Sequence, residues 1–226
     1  MTVLVLGATG ATGRLLTQQL LDRGLRVKAI VRSPGGLPDS LRQHDNLSVI
    51  HANVLDLSDA EMAEHAAGCS AVASCLGHNL TFKGIFGRPR RLVTDAVRRF
   101  YQALKSIGCE KPIKFVLMNT AGNSNRDLME PVSFAQRGVI GLLRLVVPPH
   151  RDNENAADYL RTAVGQNHAV LEWAAVRPDS LFDDDDVTDY ELHPSPTRSA
   201  IFDPGRTSRI NVAHFMADLI TNDQVW

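Results

Sequence analysis

The sequence predicts a doubly wound α/β fold, three layers deep, with a parallel sheet between two layers of helices. Three observations predict it. Short aliphatic, β-branched runs alternate with segments of helical period from the first residues to the last. The first of those runs ends in a glycine-rich turn that opens a helix. The least regular stretches, residues 77–89, 121–149 and 177–207, all follow predicted strand ends, the edge where open parallel sheets bind ligands.

Taken in order, residues 2–6 (Thr-Val-Leu-Val-Leu) form the first strand, apolar on both faces as a buried parallel strand is. Residues 10–22 carry Leu16 and Leu20 one turn apart, and Gly24 stands where a helix terminus takes positive φ. Residues 26–31 and 47–52 are strands two and three. Residues 59–66 are a short helix that Ser58 is placed to cap. Residues 70–76 are strand four, 91–107 a long helix ending at Gly108, and 113–118 strand five. Residues 134–147, with Leu142, Leu143 and Val146, read as an apolar helix over the active site or an oligomer face. A helix over 152–164, strand six over 169–176 and a last helix over 212–221 complete the chain. No repeat or linker divides it, and 226 residues suit one domain of this class, expected over residues 1–226.

Composition narrows the partners. Hydrophobic residues are 44% and charged ones 22%, an ordinary globular balance. A formal net charge of −1 gives no global reason to expect nucleic acid or a membrane as partner. Cys69, Cys75 and Cys109 form no CxxC pair or Cys/His metal spacing, so no metal site is expected and a reducing compartment is favoured. No signal-peptide pattern opens the chain and no apolar run reaches the roughly 20 residues of a membrane span. The expected setting is the cytoplasm, as monomer or homodimer, with a small-molecule substrate. The acidic run 183–186 lacks calcium-loop spacing, and Arg88, Arg90, Arg91, Arg98 and Arg99 read as a solvated helix start.

The turn after strand one reads Gly7-Ala-Thr9-Gly10-Ala11-Thr12-Gly13. Gly7 permits the tight turn, Gly10 lets a pyrophosphate approach the backbone, and Gly13 lets helix and strand pack closely. The N–H groups that open the following helix face the phosphates. This GxxGxxG spacing, followed by Arg14, resembles the atypical short-chain dehydrogenase/reductase superfamily, in its NmrA-like and flavin-reductase-like branch of NAD(P)-binding Rossmann proteins. Asn53-Val54-Leu55-Asp56, Cys75-Leu76-Gly77-His78, Val176-Arg177-Pro178 and the stretch 207–216 match the branch in its own order. The resemblance implies that Asn53 and Val54 flank the adenine, and that Cys75, Leu76 and Gly77 meet the middle of the cofactor. It implies also that Asn119 and Thr120 approach the nicotinamide ribose. Proteins of that branch usually continue through one more short strand beyond the point where this chain ends, at Trp226.

Strand two ends in Arg32-Ser33 with no acidic neighbour. An NAD site places Asp or Glu there, whereas arginine accommodates the 2′-phosphate of NADP, so NADP(H) is favoured over NAD(H). The alternative is that Arg32 is merely solvated at the rim.

Many members of the superfamily use a Tyr-x-x-x-Lys pair on the helix after strand five. Here Tyr101 and Lys105 have the spacing but lie on the helix before strand five, and Tyr159 on the expected helix has no lysine four residues on. Candidate catalytic residues are therefore His78, Asn123 and Asn153, with Ser124 and His150 also at the substrate edge. The resemblance implies an NADPH-dependent oxidoreductase passing hydride to a flavin, a quinone or a similar small acceptor. A non-catalytic NADP(H)-binding redox sensor is the rival, and a sugar-nucleotide epimerase is disfavoured because that chemistry leans on the missing tyrosine.

Overall fold

The computed structural model of the 226-residue chain describes every residue except Asn79, Leu80, Cys109, Glu110 and Asn167, and the side chain of Lys83. Cys109 and two positions of the 77–89 loop thus lie outside the described residues. Strands β1 (Thr2–Leu6), β2 (Arg26–Val31), β3 (Leu47–His51), β4 (Ala71–Ser74), β5 (Ile113–Met118) and β6 (Leu171–Val176) form one parallel sheet in the order β3-β2-β1-β4-β5-β6. The chain winds outward from β1 to β3, then returns to lay β4 on the other side of β1. The switch point therefore falls between β1 and β4, where crossovers diverge and leave a crevice at the carboxyl edge.

Helices cover both faces. On one side α3 (Asp59–Ala66), α5 (Leu92–Ile107) and α7 (Pro148–Tyr159) bury Met62, Phe100, Leu104 and Ala156 against Leu4, Leu6, Phe115 and Leu117. On the other side α1 (Ala11–Asp22) and α8 (Arg209–Thr221) bury Leu16, Leu20, Met216 and Ile220 against Val3, Val5, Ala29 and Val116. Odd and even positions of β1 thus feed opposite cores, as strand alternation requires. Ser58 caps α3 through a reciprocal box with Glu61, and Gly24 and Gly108 take positive φ after α1 and α5.

The irregular stretches hold more structure than their sequence suggests. Residues 33–46 carry the short helix α2 (Asp39–Arg42), and the loop after β4 carries α4 (Phe82–Phe86). The predicted apolar helix is α6 (Phe134–Val146), and α7 begins at Pro148 instead of residue 152. Two prolines in the first turn of α7 cost nothing there, because their missing N–H groups would have no helical acceptor. Beyond β6, β7 (Ser180–Phe182) and β8 (Arg206–Ser208) pair in parallel as a separate ribbon leading into α8. No described helix is long and apolar enough to cross a membrane.

Candidate functional site

The register of β1 levels Leu6 with Ile30 and Ser74, so the residues that follow all emerge on one edge. Gly7 turns there with φ +78°, and a Cβ on it would stand 2.6 Å from the Cys75 carbonyl oxygen of the next strand. A Cβ on Gly13 would stand 2.1 Å from the Gly7 carbonyl oxygen, so the helix can close on its own turn only with glycine there. Gly10 is the N-cap of α1, with no side-chain cap and no acidic residue in the first turn. The helix thus presents free N–H groups and its positive end to the crevice.

That crevice is a cleft of about 300 Å³. Among the residues singled out from the sequence, Gly7, Thr9, Gly10, Ala11, Arg32, Asn53, Val54, Cys75, Leu76, Gly77 and His78 line it. Thr12 and Gly13 lie buried beneath the turn, Ser33 sits exposed beyond the rim, and Asn119 and Thr120 stand outside the cleft at the end of β5. Arg32 is exposed, and its guanidinium has no carboxylate partner among the described residues. Its carbonyl is engaged, accepting from His51 at 2.9 Å. Asn53 closes the 53–56 turn on Asp56 at 3.0 Å while still lining the cleft. Burial pushes the Cys75 thiol up to about 12, so it stays protonated at neutral pH.

The far wall carries an arrangement that no motif announces. His78 is a loop residue, a position where solvent is the usual surrounding, but its side chain is only 4% exposed and that of Asp152 is 0% exposed. His78 Nε2 lies 2.8 Å from Asp152 Oδ2. The same carboxylate accepts from the Val93 N–H at 2.8 Å, the Thr94 N–H at 3.0 Å and the Thr94 hydroxyl at 2.6 Å. Burial works to raise the Asp152 pKa, but the His78, Thr94 and Val93 donors together hold it below the ordinary value. With an ionised partner, Nε2 of His78 is the donor, and Nδ1 takes no hydrogen bond from the described residues.

Asp152 also finishes α5. The N-cap of that helix is Arg91, which offers no capping bond, so its orphan N–H groups are filled by a carboxylate from α7. An arginine at a cap was the one sequence signal that pointed to a remote acceptor. It does not say which acid answers.

Next to Asp152, the Asn153 carbonyl accepts from Asn119 Nδ2 at 3.0 Å. Asn119 Oδ1 in turn accepts from the Thr120 N–H and from Asn123 Nδ2. The three candidates His78, Asn123 and Asn153 thus belong to one polar chain running from β4 through α7 to β5. Asn123 is 3% exposed and its Oδ1 has no partner among the described residues. His150 Nε2 is likewise buried and unpartnered, and burial, opposed by Glu154, pushes the His150 pKa down.

Beyond this chain, Arg144 and Arg126 clasp Glu154, and Arg177 binds Glu130 at 2.6 Å and the Asn123 carbonyl at 2.9 Å. These pairs join residues 10 to 54 positions apart and were invisible in the sequence. A second cavity of about 230 Å³ lies past β6, walled by Arg177, Pro178, Tyr190, His193, Arg198 and Phe215 among others. Tyr101, the decoy, faces away from both. It is 6% exposed in the α5–α7 core, bonds His168 Nε2 at 3.0 Å and packs edge-on to Tyr159. Of the basic stretch, Arg99 binds the Leu55 and Leu57 carbonyls and Arg98 lies over Tyr159, so these two brace the fold.

Comparison with known proteins agrees with this geometry. A short-chain dehydrogenase/reductase of Veillonella parvula in complex with NADP superposes with a TM-score of 0.67 at 17% identity, over 98% of this chain and 88% of that one. A candidate NADH-flavin reductase of Streptococcus pneumoniae gives 0.62 at 20% identity, over 98% and 93%. At such identities the likeness is one of fold. An uncharacterized chloroplastic protein of Arabidopsis thaliana is 37% identical over 73 residues, 32% of this chain and 26% of that protein, so the match spans about a quarter of that relative's length. The family model described as NAD(P)H-binding matches residues 7–223, from the first glycine of the turn to just beyond the end of α8, and the chain belongs to that NAD(P)H-binding family.

Proposed function

We propose that the protein is an NADPH-dependent reductase that passes hydride to a flavin, a quinone or a similar conjugated acceptor. The observation that carries this reading is the cleft itself. An uncapped helix end and an unpaired Arg32 stand on one side of it, and a histidine clamped by a buried carboxylate stands on the other.

The residues fit the dinucleotide. Gly10 leaves the backbone open to a pyrophosphate, Arg32 offers a two-pronged donor for a 2′-phosphate with Ser33 beside it, and Asn53 and Val54 flank the adenine position. Leu76 and Gly77 follow the middle of the cofactor, with Asn119 and Thr120 toward its nicotinamide end. When bound, the cofactor supplies the hydride. Asp152 holds His78 through Nε2, so that the doubly protonated ring would give its Nδ1 proton to the reduced acceptor and be left as neutral imidazole with its remaining proton on Nε2. Asn119 and Asn153 set the distance between β5 and α7, and the spare Oδ1 of Asn123 accepts a bond from the acceptor or the carboxamide. The cavity past β6, with Tyr190 and Phe215, suits a flat ring system.

A second reading, a sensor that binds NADP(H) without turnover, is favoured by one observation: Tyr101 serves the core and Tyr159 has no lysine partner. Oxidation of NADPH by the purified protein, against a panel of flavins and quinones with NADPH fluorescence followed in the same cuvette, separates the two. Saturable turnover that His78→Ala lowers by about 100-fold supports the reductase. A fluorescence shift on binding with no turnover for any acceptor assigns the sensor.

A further inference from the structure

Surface helices ordinarily turn their apolar stripe inward, and α6 does the reverse along much of its length. Phe134 is 90% exposed, Leu145 81%, Leu142 59% and Val146 48%, while Gln136 and Ile140 are the buried residues. At about 100° per residue, Phe134 and Leu145 point within ~20° of each other. Leu142 and Val146 lie on one flank of that line, and Arg137 and Arg144 lie on the other. Met129, 90% exposed, leads into the helix.

The charge around this stripe has one sign. No Asp or Glu occurs from residue 131 to 151, whereas Arg137, Arg144 and Arg151 do. Arg144 is tied to Glu154, but Arg137 and Arg151 are exposed with no carboxylate partner among the described residues. A second segment repeats the composition. In α4, which rests on α7 as α6 does, Phe82 is 81% and Phe86 43% exposed, and Arg88, Arg90 and Arg91 follow with no acid between residues 81 and 94.

We propose that the α6 face docks on an anionic lipid surface, with Phe134, Leu142 and Leu145 entering the headgroup boundary and Arg137 and Arg151 meeting its phosphates. An apolar stripe edged by arginines and lacking acids is the composition of helices that lie in such an interface. A second copy fits less well, because across a two-fold the arginine flank would meet no carboxylate of its own segment. The net charge of −1 conceals this, since it averages a basic face with acids elsewhere, and the sequence expectation of no membrane partner rested on that average.

The test is co-sedimentation of the full chain with vesicles of phosphatidylcholine alone and of an equal mixture of phosphatidylcholine and phosphatidylserine. Binding is expected to the mixed vesicles only, weakening as salt rises. The double variant Phe134→Ser/Leu145→Ser should partition about tenfold more weakly or worse, and Arg137→Gln should lose a smaller factor. Both should keep the wild-type melting temperature, since all three side chains are exposed. Absence of binding to mixed vesicles, or binding that the double variant leaves intact, overturns the proposal. So does a dimer in sedimentation equilibrium that the double variant dissociates without any vesicle binding, which would assign the face to a second copy.

Discussion

The glycine turn after β1 and the polar chain after β5 share one sheet edge, yet they are assembled from opposite ingredients. The turn is local: Gly7, Gly10 and Gly13 shape it, and each acts through backbone within a few residues or on the adjoining strand. The polar chain is non-local, and Asp152 reaches back to residues 78, 93 and 94 to complete it. Local geometry leaves a spaced motif in a sequence. A side chain that meets partners 58 to 74 positions away leaves none.

If that contrast holds, damage to the turn should abolish ligand binding outright. Gly13→Val, which drives a Cβ into the Gly7 carbonyl, should remove measurable NADPH fluorescence enhancement and cost ~3 kcal/mol or more of stability. Damage to the polar chain should appear first as stability. Asp152→Ala leaves the Val93 and Thr94 N–H groups and His78 without an acceptor, the Thr94 hydroxyl keeping only the residue 152 carbonyl, and chemical denaturation should show a loss of about 3 kcal/mol.

The same carboxylate gives a pH signature. Its folded pKa lies below the unfolded one, so its stabilisation is full above the unfolded value of about 3.9 and is lost as pH falls through the folded value. Melting temperatures of wild type should therefore fall more steeply below about pH 4 than those of Asp152→Asn. Parallel curves would show that the carboxylate is not charged in the fold.

A smaller effect sharpens the ligand side. Arg32→Asp should weaken NADPH about 10- to 100-fold and NADH much less, whereas equal losses would remove the 2′-phosphate role. Least of all, Tyr101→Phe should cost about 1 kcal/mol through its His168 bond and leave NADPH affinity unchanged. A change in turnover there would return Tyr101 to the active site.

The six strands of the parallel sheet, both helical layers and the glycine turn were legible because each rests on period, turn chemistry or a spaced motif. Helix α2, the α4 turn and the early start of α7 were not. They are short or proline-led, and their hydrophobic period is too brief to register against the surrounding loop. His78 was named for its chemistry, but its burial depends on Asp152, and nothing near residue 78 encodes that. The outward stripe of α6 was legible as an apolar helix, and only packing on α7 shows which side it turns outward.

Asp152 has a consequence for anyone who would graft or recombine this scaffold. Three chain segments are knotted through one side chain, so the loop carrying His78, the start of α5 and the start of α7 form a single inherited module. A chimera that exchanges the substrate-side loops while keeping its own residue 152 must keep His78 and Thr94 as well. One that crosses over between residues 94 and 152 joins a helix to a cap built for a different histidine.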